Sequence, residues 1–305
     1  PQGKEIGGLR FGADGTVTIV TGTLDYGQGH RAAFAQVLGD KLGVPFDKIE
    51  LLQGDSSQLL IGGGTGGSRS IMASGTAILQ ASDEVIEKGR QLAGHFLEAA
   101  AADIEFAEGA FTVAGTDRSI ALGEIVERLS AGETLPEGLP TSLDSELVAE
   151  TPPSAFPNGC HVCEVEIDPD TGTVHLDRYT VVDDFGTLVN PMLVEGQVHG
   201  GIVQGIGQAL MEEAIYDEDG QPLSGSFMDY AMPRAADMPD FHLAFHPVPA
   251  TTNPLGAKGC GEAGTTGAIP AVVNAIGDAL VQAGAEPVGM PATPEKVWRS
   301  LQAPP

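Results

Sequence analysis

The stretch "PMLVEGQVHGGIVQGIGQAL" (191–210) has the apolar spacing of a helix, with Pro191 at its first position behind Asn190 as cap. Yet Gly200, Gly201, Gly205 and Gly207 each weaken that helix by about 0.8–1 kcal/mol relative to alanine. A helix destabilised by its own composition needs close approach by another backbone or by a ligand, and both readings stay open. Gln197, Gln204 and Gln208 recur at spacings of seven and four, so they share one face. The same residue type dominates the rest of the chain. Its 42 glycines follow no Gly-x-y period and stand beside only 5% aromatics, which implies tight turns and close backbone approaches rather than a fibre.

At 305 residues the chain has room for two domains or one large one. A formal charge of −27 argues against nucleic acid and anionic membrane as partners, because phosphate repels such a surface. No apolar run reaches the roughly 18–20 residues of a membrane span, and no secretion signal is visible. Cys160, Cys163 and Cys260 are too few for a disulfide framework, so a reducing, cytoplasmic setting is expected. The sequence opens on Pro1 without an initiator methionine and reads as part of a longer polypeptide.

Along the chain the pattern predicts a strand over 15–23, a helix from about Gly29 to Leu42, and a second strand over 48–55. The glycine-rich loop 59–70 then opens a long helix running to about Ala102, followed by the hairpin "IEFAEGAFTVAG" and the short helix "LGEIVERLS". Residues 132–158 carry five prolines and little periodicity, the best linker candidate between halves 1–131 and 159–305. After it come a hairpin around "DPDTG", the helix 191–214, another hairpin at "DEDG", the strand "FHLAFHPV" and two closing helices. Strand pairs interleaved with helices predict an α+β fold of mixed sheets with packed helices.

"TGTLDYGQGHRAA" sets Gly27 and Gly29 between a strand and a helix, which raises a dinucleotide-binding alternative. That fingerprint wants the strand to run straight into the first glycine and an acid about 20 residues on. Here "LDY" intervenes; Asp55 ends the second strand 28 residues beyond Gly27, and Glu50 lies inside that strand. A plain turn into a helix competes with a ligand-facing amide at Gln28. "GGGTGGSRS" can form an anion-binding nest of backbone N–H groups at a helix start, with Gly67, Ser68, Arg69 and Ser70 nearest the helix. It lacks the Gly-Lys-Ser/Thr ending of a P-loop. "CHVC" places Cys160 and Cys163 on opposite faces of a strand, and His242 and His246 lack a third ligand, so these read as structural. In "GCGEAG" Glu262 is either an exposed helix-start acid, favoured by the helix dipole, or a base working out of water.

Taken in order, "YGQGH", "GGGTGGSRS", "NPMLVEGQVHGGIVQGIGQAL" and "AKGCGEAG" resemble the carboxy-terminal half of the molybdenum hydroxylase large subunit, the family of xanthine dehydrogenase, aldehyde oxidase and carbon monoxide dehydrogenase. "GQGH" and "GSRS" are most similar to the carbon monoxide dehydrogenase-like branch. The resemblance covers nearly the whole chain and implies two related molybdopterin-binding subdomains, 1–131 and 159–305. It implies molybdopterin in its cytosine dinucleotide form with molybdenum, contacted by Gly27, Gln28, Gly29 and His30, by Gly67, Ser68, Arg69 and Ser70, and by Gln197, Lys258, Gly259, Cys260 and Gly261. No protein side chain would bind the metal directly. Glu262 would be the catalytic base in oxidation of an electrophilic carbon of CO, an aldehyde or a heterocycle, with oxygen drawn from water. Electrons would leave through 2Fe–2S centres on a small subunit and FAD on a medium subunit, in a dimer of heterotrimers. The family's amino-terminal half, with its substrate-pocket loop, has no counterpart in these residues, so the chain alone is expected not to turn over. The alternatives in another class are a pterin or nucleotide carrier without catalysis and a Rossmann-like NAD protein.

Overall fold

The computed structural model describes residues 3–59 and 61–302. Leu60 in the glycine-rich loop, and the ends 1–2 and 303–305 of the two expected halves, lie outside the described residues. The chain divides into two compact units. One takes the chain up to Ala155 with Thr187–Asn190 and Pro249–Gly259; the other takes Phe156–Gly186, Pro191–Val248 and the chain from Cys260 onward.

In the first unit β1 (Lys4–Phe11), β2 (Val17–Thr21), β3 (Ile49–Leu52) and β7 (Ser145–Glu150) form one sheet in the order β3-β2-β1-β7. β1 pairs antiparallel with both β2 and β7, whereas β2 and β3 run parallel and are joined through α1 (His30–Leu42). The long helix α2 (Ser70–Phe96) packs on β1, β7 and α1. Its buried residues Ile78, Ala81, Val85 and Leu92 recur at helical spacing, and each large one contributes about 1.5–3 kcal/mol by leaving water. At Gly7 the helix backbone at Ala77 comes so close that a Cβ would overlap it. A second small sheet, β4 (Ile104–Ala107), β5 (Ala110–Val113) and β6 (Ser119–Ala121), leads into α3 (Leu122–Ser130) and completes the same core.

In the second unit β8 (Asn158–Ile167) and β9 (Val174–Asp184) form the expected hairpin, and β10 (Phe241–Phe245) joins β9 in parallel. The helices α4 (Pro191–Leu210) and α5 (Ala263–Gln282) pack on each other, with α5 against β8. A Cβ at Gly201 would stand 3.0 Å from Thr265 N and 3.1 Å from Gly264 Cα, and one at Gly205 2.8 Å from Ala268 Cβ. Backbone packing against α5 therefore accounts for these two glycines. Gly207 is held instead by Glu212 and by Pro233, whose ring carbons lie 2.9 Å from its Cβ position. The last helix, α6 (Pro294–Gln302), lies on the β8–β9 turn, where Trp298 N would be 2.6 Å from a Cβ on Gly172.

The α+β architecture of mixed sheets and packed helices is the one expected. The dinucleotide alternative finds no support, because β2–α1–β3 is flanked by the antiparallel β1 rather than by further crossovers. Asp55 sits in an exposed turn, its carboxylate accepting from Ser57 N, Ser57 Oγ and Gln58 Nε2. Four local expectations differ, one being the helix expected over 191–214, which ends at Leu210. The stretch 132–158 contains β7, because "SELVAE" alternates and the five prolines flank it without interrupting it. α2 ends at Phe96, ahead of Ala102, where the chain turns through Glu98 at φ 49. At "DEDG" a single Tyr216–Pro222 bridge stands in place of a hairpin, around a turn in which Asp217 accepts from Asp219 N and Gln221 N.

Candidate functional site

In the first unit β2 runs out into the loop Leu24–Gly29, whose shape is set by Asp25. Its carboxylate accepts N–H bonds from Gly27 at 2.7 Å, Gly29 at 3.3 Å and His30 at 2.8 Å, satisfying a donor at the start of α1. Burial raises the Asp25 pKa, but those three donors and His30 outweigh it and hold the group below its ordinary value. Gln28 closes the turn: its Oε1 accepts from Tyr26 N at 2.5 Å and its Nε2 donates to Leu24 O at 3.3 Å. His30 is buried, stacks on Phe34 at 4.9 Å, and sets Nδ1 3.3 Å from Gln53 Nε2. Because the partner is an amide donor, Nδ1 accepts and Nε2 carries the proton of the neutral ring. Burial lowers the His30 pKa more than Asp25 and Gln53 raise it. Gln53 Nε2 also lies 2.9 Å from Thr21 Oγ1 and from Thr23 Oγ1, so its two N–H groups are shared among three acceptors, and Thr23 reaches Ser74 at 3.1 Å.

The loop 61–70 is tied to this one twice. Thr65 Oγ1 accepts from Leu24 N at 3.0 Å and donates to Leu24 O at 2.6 Å, while Gly64 N donates to Gly22 O at 3.1 Å. Left-handed backbone at Gly64, Gly67 and Ser68, with φ between 54 and 64, turns the loop into α2. For Ser68 this conformation costs on the order of 1 kcal/mol. Arg69 folds back, its Nε donating to Gly66 O at 3.3 Å, and Ser70 Oγ lies 3.2 Å from Thr65 Oγ1. Lys258 and Gly259 join the same unit, and a Cβ on Gly259 would overlap the Ser68 carbonyl. Only glycine fits there. Their loop is closed by Asn253, whose side chain donates to Ala257 O at 2.9 Å and accepts from Ala257 N at 3.2 Å.

In the second unit Gln197, on α4, donates from Nε2 to Gly261 O at 2.9 Å. That bond ties the turn Cys260–Gly261–Glu262 to the glutamine. Glu262 is the residue that caps α5 and is exposed. Cys260 is part-buried, and burial, with Asp183 adding a smaller push, raises its thiol pKa to about 11. It is therefore no thiolate near neutral pH.

Within the first unit the structure brings together Gly27–His30, Gly67–Ser70 and Lys258–Gly259; within the second it brings together Gln197 and Cys260–Glu262. The sequence reading missed the residues that shape these turns: Asp25, Gln53, Thr65 and Asn253. Asp25 had a local signal, since it lies in the "LDY" that spoils the dinucleotide fingerprint and precedes a helix start. Gln53, Thr65 and Asn253 act across the fold or on their own loop, which spacing does not reveal. Some glycines remain that the fold does not use. A Cβ at Gly66, or at Gly196 and Gly200 on either side of Gln197, would meet no atom within 4 Å, and none of the three has positive φ. No cluster of three His, Cys, Asp or Glu able to hold a metal occurs among the described residues, and none of their helices is long and apolar enough to cross a membrane.

Residues 2–239 match the model of the molybdopterin cofactor-binding domain. The chain is 36% identical over 299 residues to the 6-hydroxypseudooxynicotine dehydrogenase complex subunit gamma of Paenarthrobacter nicotinovorans, covering 98% of this chain and 38% of that one. It is 34% identical to the carbon monoxide dehydrogenase large chain of Hydrogenophaga pseudoflava, covering 96% and 36%. Among solved structures, quinoline 2-oxidoreductase from Pseudomonas putida 86 superposes with a TM-score of 0.89 at 37% identity, over 99% of this chain and 39% of that one. The chain thus spans less than two-fifths of the length of these relatives.

Proposed function

Because this chain belongs to the molybdopterin cofactor-binding domain family, we propose that it is the cofactor-holding and base-bearing portion of a molybdenum-dependent oxidoreductase. The observation that carries the reading is the match of residues 2–239 to the molybdopterin cofactor-binding domain. Gly66 in the first unit, and Gly196 and Gly200 beside Gln197 in the second, face open space without needing glycine's φ, as Gly123 and Gly289 do elsewhere. Two glycines inside a helix cost about 2 kcal/mol together and gain no packing for it. A ligand lying on the backbone gives them a reason. Within the first unit the N–H groups at the start of α2 and the Arg69 guanidinium suit the pyrophosphate extension of a pterin, with the Gln28 amide nearby in sequence order. Within the second unit the Gln197 amide stands between Gly196 and Gly200 on α4. The cytosine dinucleotide form is part of the same proposal.

The molybdenum cofactor, when bound, supplies the two-electron and oxygen-transfer chemistry at an electrophilic carbon of CO, an aldehyde or a heterocycle. The chain's own part is to bind, orient and move a proton. Asp25 fixes the Gln28 turn, Gly259 lets the loops close on Ser68, and Gln197 holds the Gly261 carbonyl so that the next residue, Glu262, keeps a fixed direction. A Glu262 carboxylate oxygen then takes up the proton released in the reaction. Glu262 is exposed, so the water exclusion that lifts a carboxylate toward a base working near neutral pH comes from bound ligand and from polypeptide outside these residues. The proposal includes that polypeptide as an amino-terminal half of the large subunit, an FAD-binding medium subunit and an iron–sulfur small subunit, assembled as a dimer of heterotrimers in the cytoplasm. The two cofactor-binding subdomains take 1–131 and 159–305 as their main segments, with β7, Thr187–Asn190 and Pro249–Gly259 packed into the first. This chain by itself is then inactive.

Replacing Glu262 by Gln in the complete complex tests the assignment. Loss of general base catalysis lowers kcat by at least about 10²-fold, while molybdenum content by mass spectrometry stays at the wild-type level. Turnover within twofold of wild type removes the base role. A wild-type complex that lacks molybdenum and pterin removes the whole reading.

A further inference from the structure

A second array of polar groups, resting on the reading of Glu262 just given, lies against α5 within the second unit. His161 on β8 stands opposite Val181 of β9, so Tyr179 and Asp183 flank it diagonally on the same face. His161 Nδ1 lies 2.8 Å from the Tyr179 hydroxyl, and Nε2 lies 3.4 Å from Asp183 Oδ1. The side chains of His161 and Asp183 are 8% and 3% exposed, and Tyr179 is fully buried. With a neutral ring the Tyr179 O–H donates to Nδ1 and Nε2–H donates to Asp183; a protonated ring donates at both ends. In either state Asp183 receives its donor from His161.

An Asp–His–hydroxyl array elsewhere activates a nucleophile. Here the hydroxyl end has no surface, and burial, then Cys163 and Asp183, hold the Tyr179 pKa above its ordinary value, so no second active site is formed. The array lies instead against α5, the helix that Glu262 caps. Gly159 lies opposite Asp183, and a Cβ there would overlap Oδ1, so glycine makes the room the carboxylate occupies. Asp183 Oδ2 is buried with no hydrogen-bond partner among the described residues, and its charge acts on Cys260, two residues before Glu262. At the other end the His161 ring lies directly against α5. A Cβ on Gly267 would stand 2.5 Å from Nε2 and Cδ2 and 2.6 Å from Cε1. A buried carboxylate is costly unless paired, and this one is paired to the ring that supports the helix carrying Glu262.

We propose that His161 and Asp183 are positioning residues for Glu262: the pair sets the height of the first turns of α5 over the sheet, and through it the direction of the Glu262 carboxylate. Neither residue meets substrate. The substitutions are Asp183→Asn, His161→Ala, His161→Gln and Gly267→Ala, made in the complete cofactor-loaded complex. Amide exchange of residues 260–266 by mass spectrometry is read beside steady-state kinetics and molybdenum content. In Asp183→Asn that exchange is expected to quicken by about tenfold or more as the turn is released. A displacement of about 1 Å lowers kcat by up to about 10²-fold, with KM and molybdenum content unchanged. His161→Gln, which can present an N–H near the position of Nε2, recovers most of what His161→Ala loses. Gly267→Ala impairs the wild type but adds nothing to His161→Ala, because the ring it would displace is gone.

Exchange and kcat both within twofold of wild type in Asp183→Asn overturn the proposal. So do fully additive losses in the Gly267→Ala cycle, or a kcat that falls only in proportion to lost molybdenum. If Asp183→Asn does not fold, the His161 pair and the Gly267 cycle decide by the same readouts. Exchange needs no turnover, so the two readings fail separately: an active Glu262→Gln removes the base role, whereas unchanged exchange in these variants removes the strut.

Discussion

Glu5 on β1 is 2% exposed, and its Oε1 accepts from Gly22 N at 2.6 Å and from Ile6 N at 3.1 Å. It thereby anchors the end of β2 where the glycine-rich loop crosses: a Cβ on Gly22 would overlap Gly62 Cα. Burial raises the Glu5 pKa more than the Gly22 and Ile6 donors and the Arg69 charge lower it, so it lies above the ordinary 4.5. The folded state then holds this proton more tightly than the unfolded chain, and the Glu5 contribution to stability falls as pH rises from 4.5 through the higher folded value. Glu5→Gln keeps an acceptor for both N–H groups and carries no charge. Its melting temperature relative to wild type is expected to climb as pH rises from about 4.5 to 8, read by calorimetry at three pH values. A difference that shrinks with rising pH would mean that the donors, not burial, decide the state of Glu5. The sequence "KEIGGLRF" alternates too weakly to show that its one acid points inward, because that depends on Gly22 arriving from the neighbouring strand.

α4 shows what an element can and cannot reveal in sequence. Its glycines were legible as an anomaly, but not their separate causes, since those depend on which face meets α5, some sixty residues further on. Gly205 lies under Ala268 and Thr265, whereas Gly200 faces open space. The two substitutions by alanine should therefore have opposite effects. Gly205→Ala overpacks the helix crossing and destabilises by about 1–3 kcal/mol. Gly200→Ala stabilises α4 by about 0.8–1 kcal/mol while lowering the molybdenum content of the assembled complex, because its methyl group occupies the ligand's side of the helix. Urea unfolding gives the first quantity and metal analysis the second. A Gly200→Ala complex that is more stable and fully loaded would leave the Gly196–Gly200 face without a ligand. The strand β7 was hidden for a similar reason: prolines on either side of "SELVAE" resemble a linker, and only pairing with β1 makes it a strand.

At the scale of the molecule, the sequence order of the motifs was legible but the division of the chain was not. Thr187–Asn190 and Pro249–Gly259 return to the first unit from within the second, so compact units and linear segments do not coincide. Local pattern has no means of showing such a return, because it is fixed by contacts such as Leu255 on Gly75. Net charge, in contrast, is read directly from composition and has a consequence for the whole fold. With 42 acidic and 15 basic residues giving −27, the folded surface repels itself. Its ion pairs, such as Lys4–Glu150 and Arg178–Glu164, are exposed and offset little of that repulsion. Raising ionic strength from about 0.01 M to 0.15 M shortens the screening length from about 30 Å to about 8 Å, which weakens long-range repulsion more than close pairs. The melting temperature at pH 7.5 is therefore expected to rise with sodium chloride; each 1 kcal/mol gained shifts it by about 2–4 °C. At pH 4.3, where the net charge vanishes, the same salt step should give no rise. Calorimetry across both conditions separates the cases: a fall with salt at pH 7.5 would mean that paired charges, despite their exposure, outweigh the excess of carboxylates.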